Sequence, residues 1–336
     1  MMNAWGLYGH DWAVEHLQRS IINGRARHAY LFMGGDRIGK TTLALAFAKT
    51  MNCEVWREQA PLDPRPCGVC SSCLRIDSGN HPDIARARHD PDTGTLRIEE
   101  IREVAGRLSL RPFEARFRVA LFIDFDQAKP QAQDALLKTL EEPSRYAMLL
   151  LTTTEPELVL PTITSRSQVV RLRPVAVDDV RAALTDAGAP PSDADLIARL
   201  SGGRIGWALE AWRKPEVLQT RAQALDLLDE IIGGSRAHRF ALAEDLAKEK
   251  SSLSPLLALW QTYWRDLVLH KVSGVGAPLV NIDRIAKLEL LASRIPVEAA
   301  LNALKSTREL MRLLTETNTQ PRLALEAAFL DYPIVR

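Results

Sequence analysis

The stretch that decides the fold is a glycine-rich loop, which reads Gly34-Gly35-Asp36-Arg37-Ile38-Gly39-Lys40-Thr41. It is a complete G-x-x-x-x-G-K-[ST] phosphate-binding motif. An apolar run at 28–33 leads straight into the loop, and helix-forming residues at 42–48 follow it. In this order of strand, loop and helix, successive backbone N–H groups and a helix N-terminus form a positive cradle for phosphate. The context therefore favours a working phosphate loop over a chance match.

Further apolar runs along the chain have the character of buried parallel strands. Residues 119–123 are unbroken apolar and end at Asp124, and residues 148–151 run into three threonines at 152–154. Between the strands, residues 98–108 have helical spacing, and Pro130 opens a helix predicted to end before Pro143. Strands that alternate with helices predict a parallel α/β sheet flanked by helices over residues 1–173.

The strand signals end after Pro174. Residues 174–214 predict three short helices, with turns at 188–191 and 202–203. Residues 215–336 are helical throughout, and their apolar stripes are typical of packing faces. The sequence thus predicts three parts: an α/β domain at 1–173, a small helical part at 174–214 and an all-α C-terminal domain at 215–336.

Length and charge limit the classes of protein to which the chain can belong. At 336 residues it is longer than one compact core usually holds. Its 43 Lys and Arg nearly cancel its 42 Asp and Glu, so no global field drives it onto nucleic acid. No run approaches 18 apolar residues, and the N-terminus lacks a signal pattern. We therefore expect a cytoplasmic protein without membrane association.

The four cysteines of the chain are clustered in the pattern C-x13-C-x2-C-x2-C, at Cys53, Cys67, Cys70 and Cys73. In a reducing compartment such a cluster indicates metal ligands before it indicates disulfides. The short x2 spacings form the knuckle turns that bring four thiolates to one tetrahedral Zn²⁺. The sequence predicts a structural zinc module at 53–73 with no open position for catalysis; buried free thiols are the alternative.

The phosphate motif assigns roles to residues on two strands. Lys40 would reach the β- and γ-phosphates of ATP, and the Thr41 hydroxyl would ligate Mg²⁺. Asp124, at the end of the 119–123 strand, would hold the same Mg²⁺. The candidate nucleotide-contacting residues are Gly34, Gly35, Gly39, Lys40, Thr41, Thr42, Asp124 and Thr153.

The position after Asp124 argues against hydrolysis. P-loop enzymes usually place a Glu there to orient the attacking water, but this chain has Phe125. Asp126 would share a face with Asp124 if the strand continued, yet its side chain is one methylene shorter and one position late. ATP with Mg²⁺ is a candidate ligand of the loop. We expect the ATPase activity of the chain itself to be weak or absent.

The chain resembles the clamp-loader subunits of the bacterial DNA polymerase III holoenzyme, an AAA+ family. The resemblance covers nearly the whole chain and implies an AAA+ α/β domain, a helical lid and a helical collar domain. It also implies a pentameric ring with gamma/tau and delta partners, which opens a sliding clamp and places it on primed DNA. The matching stretches are HAYLF with the loop, CGVCSSC with GNHPDI, LRIEEIREVAGRLSLRPFEARFRVALFID, ALLKTLEEPS, TTTEPELVLPTITSRS and NTQPRLALEAAFL.

Within this family the chain is most similar to the delta-prime type, which acts as a stator. The family's Asp-Glu pair is Asp124-Phe125 here, Gly206 occupies the slot of the lid's sensor-2 arginine, and no Pro/Lys/Gly-rich extension follows the collar. The family's Ser-Arg-Cys motif appears with serine in place of cysteine at 165–167. The resemblance thus implies that Arg166 is an arginine finger for a neighbouring ATPase subunit.

Two other functions are open on the sequence. The first is a gamma/tau-type motor that hydrolyses ATP itself with Asp126 or another carboxylate. The second is a P-loop phosphotransferase, such as a nucleoside monophosphate kinase with a zinc-bearing lid. The long helical C-terminal region has no place in such a kinase, which makes it the weaker alternative.

Overall fold

The computed structural model describes residues 2–59, 63–274, 276–316 and 319–335. Its contacts divide the chain into two compact units. The first comprises Met1–Gly188 with Gly203–Trp207, and the second comprises Ala189–Gly202 with Ala208–Arg336. The three-part division at 173 and 214 stays a prediction. Residues 60–62 of the predicted zinc module, and residues 275, 317, 318 and 336 of the predicted collar, lie outside the described residues.

A five-stranded parallel sheet forms the centre of the first unit, which confirms the predicted α/β class. The strands are β1 Ala29–Met33, β2 Ile84–Arg86, β3 Arg118–Phe122, β4 Ala147–Thr153 and β5 Gln168–Arg171. Their order across the sheet is β2-β3-β4-β1-β5. Strand β1, which leads into the phosphate loop, lies between β4 and β5, so the loop emerges from the interior of the sheet.

Both faces of the sheet are covered, which explains the unbroken apolar runs. Along β1 the side chains alternate between two cores: Leu31 packs on one face, and Tyr30 and Phe32 on the other. The helices of this unit are α1 Asp11–Ile22, α2 Lys40–Asn52, α3 Glu54–Gln59, α4 Ser71–Asp77, α5 Ile98–Arg107, α6 Pro130–Gln133, α7 Leu137–Glu141, α8 Pro161–Arg166 and α9 Val177–Asp186.

The second unit is helical in the part of it that the structure describes. Its core is rich in aromatic residues, with Trp260, Trp264, Phe329 and Tyr332 in mutual ring contact. Helix α11 begins in the first unit and continues into the second. The helices are α10 Pro191–Leu200, α11 Ile205–Arg213, α12 Glu216–Gly233, α13 Arg236–Leu246, α14 Lys250–Ser273, α15 Ile285–Arg294, α16 Val297–Glu316 and α17 Pro321–Asp331.

A buried arginine fixes the last described residues to this core. The Arg239 guanidinium is almost inaccessible and donates to the carbonyl oxygens of Phe329, Tyr332 and Pro333 at 2.7–2.8 Å, and to that of Ile232 at 3.0 Å. Burial lowers the pKa of Arg239. These carbonyls lie at the C-terminal ends of α12 and α17, where unpaired oxygens attract a cation.

The elements differ from the sequence expectation at one predicted helix and at two short strands. The helix from Pro130 is not continuous, because its middle tightens into a 3-10 turn at Asp134–Leu136 between α6 and α7. Strands β2 and β5 were not anticipated, since each is short and carries exposed arginine among few apolar residues. The three short helices expected at 174–214 are present as α9, α10 and α11. Within the described ranges, no helix is long and apolar enough to cross a membrane.

Candidate functional site

The phosphate loop joins β1 to α2 and needs glycine for its shape. Gly34 and Gly39 have positive φ angles of 150° and 106°, and Arg37 between them also lies in the left-handed region at 56°. A Cβ on Gly34 would lie 2.6 Å from the Ile38 side chain and 2.7 Å from the carbonyl oxygen of Leu172. The motif glycines therefore serve both backbone conformation and close packing.

Lys40 folds back onto the loop that precedes it. Its Nζ donates to the carbonyl oxygens of Gly34 at 2.9 Å and Gly35 at 2.8 Å, and to Thr154 Oγ1 at 2.9 Å. Burial lowers the pKa of this ammonium group, although the carboxylate of Asp124 opposes the shift. The side chain predicted to meet phosphate is thus held by groups of the protein itself.

Two distant segments bind the outer carbonyl oxygens of the same loop. The backbone N–H of Gly206, in the first turn of α11, donates to the Arg37 carbonyl at 2.8 Å. Nε2 of His10 lies 2.7 Å from the carbonyl oxygen of Ile38. All these residues belong to the first unit. Gly206, which the resemblance places at the position of the sensor-2 arginine, is therefore in backbone contact with the loop. The sequence alone did not indicate this contact.

Asp124 stands where β3 has ended. Its backbone is left-handed, with φ 45°, and its N–H donates to Thr152 Oγ1 at 2.9 Å. Burial raises the pKa of its carboxyl group, and the ammonium of Lys40 opposes that rise. The two groups predicted to share Mg²⁺-ATP are thus electrostatically coupled across the same site.

The two residues after Asp124 do not extend the strand. β3 ends at Phe122, and Phe125–Gln127 form a 3-10 turn. Phe125 is fully buried against Phe122, with ring centroids 5.9 Å apart. Asp126 is also buried, and its carboxylate accepts the N–H of Thr154 at 3.3 Å. Asp126 therefore does not share a strand face with Asp124, although its charge still contributes to the raised pKa of Asp124.

Four threonines near the phosphate loop differ in burial and in hydrogen bonding. Thr41 is half-buried and Thr42 exposed at the start of α2. Thr153 is the last residue of β4, and its hydroxyl is buried and has no hydrogen-bond partner among the described residues. Its neighbour Thr154, outside β4, holds Lys40 instead. The sequence pointed to this run of threonines, but the end of the strand decides which one faces the loop.

Arg166 ends the short helix α8 and remains partly exposed at 38% of its side-chain surface. Its guanidinium donates to Glu141 Oε1 at 2.8 Å and to the Thr162 carbonyl at 3.1 Å. The Glu141 side chain is itself half exposed. These contacts orient the Arg166 guanidinium at the surface without burying its charge.

The four cysteines converge as their spacing predicted. The sulfur atoms of Cys53, Cys67, Cys70 and Cys73 all lie within 4.8 Å of one another, and Cys67 and Cys73 are 4.0 Å apart. Four thiolates around one Zn²⁺ at 2.3 Å would be about 3.8 Å apart, so the cluster fits a tetrahedral ion with a small contraction. The group is able to hold a metal ion.

Backbone donors prepare one thiol of the cluster for the anionic form. The N–H groups of Val69 and Cys70 point at Cys67 Sγ at 3.5 and 3.2 Å. Burial acts to raise the pKa of Cys67, but these donors outweigh it and lower the pKa to about 7. Burial raises the pKa of Cys73. A bound cation would offset that cost, because metal ligation requires thiolates.

Buried polar residues tie the cysteine cluster to the sheet. Glu54 accepts the N–H of Ser72 at 3.2 Å, and the Ser72 hydroxyl lies 3.2 Å from His81 Nε2. His81 Nδ1 in turn accepts the N–H of Asp83 at 3.1 Å. The Asp83 carboxylate accepts three N–H groups of residues 113–115 and pairs with Arg118 at the start of β3. This chain of contacts gives the GNHPDI stretch a structural role.

The comparison with known families decides the identity. A family model described as DNA polymerase III, delta subunit, matches residues 9–176, which is half of the 336 residues. The chain belongs to this family. Its match to the delta-prime subunit of DNA polymerase III from Bacillus subtilis is 28% identical and covers 91% of this chain and 92% of that protein.

Relatives of the gamma and tau type match over a shorter part. The tau subunit of Escherichia coli is 33% identical over 58% of this chain, but only 31% of its own length is covered. These matches confirm the prediction that the chain is a clamp-loader subunit of DNA polymerase III. The near full-length match to a delta-prime subunit favours the delta-prime type. A gamma-subunit-related structure from Thermotoga maritima aligns over 94% of this chain and 97% of its own, at 18% identity and a TM-score of 0.39, which is too low to add to these matches.

Proposed function

We propose that this chain is the stator of a cytoplasmic clamp loader, assembled with gamma/tau and delta subunits, and helps place a sliding clamp on primed DNA. In the ring it lends Arg166 to the ATP site of a neighbouring subunit and does not hydrolyse ATP itself. The observation that carries the proposal is the contrast between an oriented, exposed Arg166 and a buried Phe125 at the water-orienting position.

The lack of hydrolysis follows from the surroundings of Asp124. A carboxylate next to it would have to orient water, but the next side chain is a phenyl ring packed into the core. Asp126 is committed to the N–H of Thr154. Lys40, Thr41 and Asp124 are the residues that would contact ATP and Mg²⁺, and without a water-orienting group a nucleotide bound there would not be hydrolysed.

The finger role of Arg166 is supported by how its guanidinium is held. Two of its nitrogens are oriented by Glu141 and by the Thr162 carbonyl, so little side-chain freedom remains to be lost on docking. The ion pair lies at the surface, where it contributes little to stability and can exchange for a phosphate. A guanidinium placed against a developing γ-phosphate charge is worth about 10³ to 10⁵ in rate.

The ion of the cysteine cluster is Zn²⁺ in this proposal, and its role is structural. Four sulfur ligands close the coordination shell, so the ion offers no position for substrate. It would order the segment between α2 and β2, which carries little apolar core of its own.

The test is hydrolysis of ATP by a loader reconstituted from this chain with gamma/tau and delta subunits. Arg166→Ala should leave assembly intact on gel filtration and slow single-turnover hydrolysis at the neighbouring site by about 10³-fold. Glu141→Gln is the matched control, because it removes the same ion pair and keeps the guanidinium, and it should retain the wild-type rate. Normal hydrolysis in the Arg166→Ala loader would overturn the proposal.

A further inference from the structure

The carbonyl oxygens of the phosphate loop are bound from inside the protein. Lys40 binds those of Gly34 and Gly35, Gly206 binds that of Arg37, and His10 lies at hydrogen-bond distance from that of Ile38. Oxygens left without a donor would let such a loop adopt other conformations. Here four of them are fixed by groups that come from three separate segments of the chain.

Gly206 is the contact in which sequence and geometry are most closely linked. A Cβ at this position would lie 3.0 Å from the Arg37 carbonyl oxygen and 3.3 Å from the Arg37 Cβ. A Cβ here would therefore require the loop and the first turn of α11 to separate by a few tenths of an ångström. Glycine inside a helix is ordinarily unfavourable compared with alanine, so its presence here serves this close approach.

We infer that Lys40 and Gly206 form a latch that holds the phosphate loop and the first turn of α11 together without nucleotide. The inference rests on the proposed function, because a subunit that does not turn over ATP needs a fixed shape in every state of the ring. The hydrogen bond from the Gly206 N–H to the Arg37 carbonyl connects loop and helix directly.

The latch has a consequence for nucleotide affinity. The three N–H groups of the Lys40 ammonium already have three acceptors, one of which is the Thr154 hydroxyl, so a phosphate must displace at least one of them. A phosphate that enters the loop therefore competes with hydrogen bonds that already exist. Weak nucleotide binding is the expected result even though the motif is complete.

The experiment measures hydrogen–deuterium exchange of the full-length chain with and without excess ADP and Mg²⁺. The wild-type peptide over residues 203–209 should be protected equally in both conditions. Gly206→Ala should raise its exchange rate by about tenfold, as expected for one weakened hydrogen bond. Gly106→Ala is the matched control: it is the same change inside a helix of the first unit, with open space around the new Cβ, and it should change nothing at 203–209.

Two results would overturn the latch: protection of 203–209 that appears only with ADP, or unchanged exchange in Gly206→Ala. If Gly206→Ala does not fold, Thr154→Val tests the Lys40 arm. It should speed exchange of the peptide over 33–41, and Thr154→Ser should restore the wild-type rate; identical exchange in Thr154→Val and wild type counts against the latch. None of these measurements involves Arg166 or a partner, so they can fail while the finger proposal stands.

Discussion

The phosphate loop and the cysteine cluster are both motifs that can bind ions, but the protein's own groups contact them to different extents. In the loop, Lys40, Gly206 and His10 come from within the protein and meet the polar groups around the binding site. In the cluster, the four sulfurs lie within 4.8 Å of one another, and burial raises the pKa of Cys53 and of Cys73. A complete motif therefore does not show how much a bound ligand would add to the stability of the site. That contribution is small where groups of the protein already form the hydrogen bonds that the ligand would form.

Removal of the metal should produce the largest effect and would test this difference most directly. Structural Zn²⁺ contributes on the order of 10 kcal/mol to the folding of small domains, so a strong chelator should unfold residues 63–77. Strand β1 and the loop at 34–41 should keep their protection against hydrogen exchange, which makes them the internal control. Unchanged thermal stability after chelation would contradict a structural role for the ion. The cluster would then not differ from the loop in its dependence on a bound ion.

Asp83 should give the next largest effect, because it connects the cluster to the sheet. Its carboxylate is buried, and it accepts three backbone N–H groups and pairs with Arg118. Asp83→Asn presents an amide group to these donors and should cost about 3–5 kcal/mol in urea unfolding. Asp77→Asn, at an exposed ion pair with Lys49, should cost less than about 1 kcal/mol.

The same carboxylate has a defined pH dependence. Burial acts to raise the pKa of Asp83, but the N–H donors of Glu114, Ala115 and Phe113 outweigh it, and the net pKa is lowered. The ionised group therefore stabilises the fold above the ordinary value of about 3.9, and this contribution is lost as the pH falls through the folded pKa. Wild type should lose more stability than Asp83→Asn in that acidic window, because only wild type protonates this carboxylate; parallel pH profiles would rule out this role.

The sequence was sufficient for the parts of the molecule that rest on local patterns. The apolar runs at β1, β3 and β4 marked three strands, and the cysteine spacing marked the cluster. Strand β2 was missed because arginine interrupts its short apolar pattern. The contact of Gly206 with Arg37 could not be predicted, because it joins residues far apart in the chain. Phe125 was visible in the sequence, but the left-handed turn at Asp124 that buries it was not.

Lys40 should produce a moderate effect, since the loop has several other internal contacts. Lys40→Met removes three hydrogen bonds to loop and strand and should cost about 1–3 kcal/mol in urea unfolding. It should also abolish any binding of ADP seen by calorimetry. A loss of stability as large as that of Asp83→Asn would contradict this prediction. It would mean that the Lys40 ammonium is the main contact that stabilises the loop.

The smallest effect separates the two threonines at the end of β4. Thr153→Val replaces a buried hydroxyl that has no partner among the described residues, so it should change stability by less than about 0.5 kcal/mol or increase it. Thr154→Val is the same exchange one position later, but it removes an acceptor of the Lys40 ammonium and should cost about 1 kcal/mol. Paired urea unfolding curves measure both. A larger loss of stability in Thr153→Val than in Thr154→Val would contradict this assignment. It would mean that the hydroxyl of Thr153, and not that of Thr154, accepts the hydrogen bond from the Lys40 ammonium.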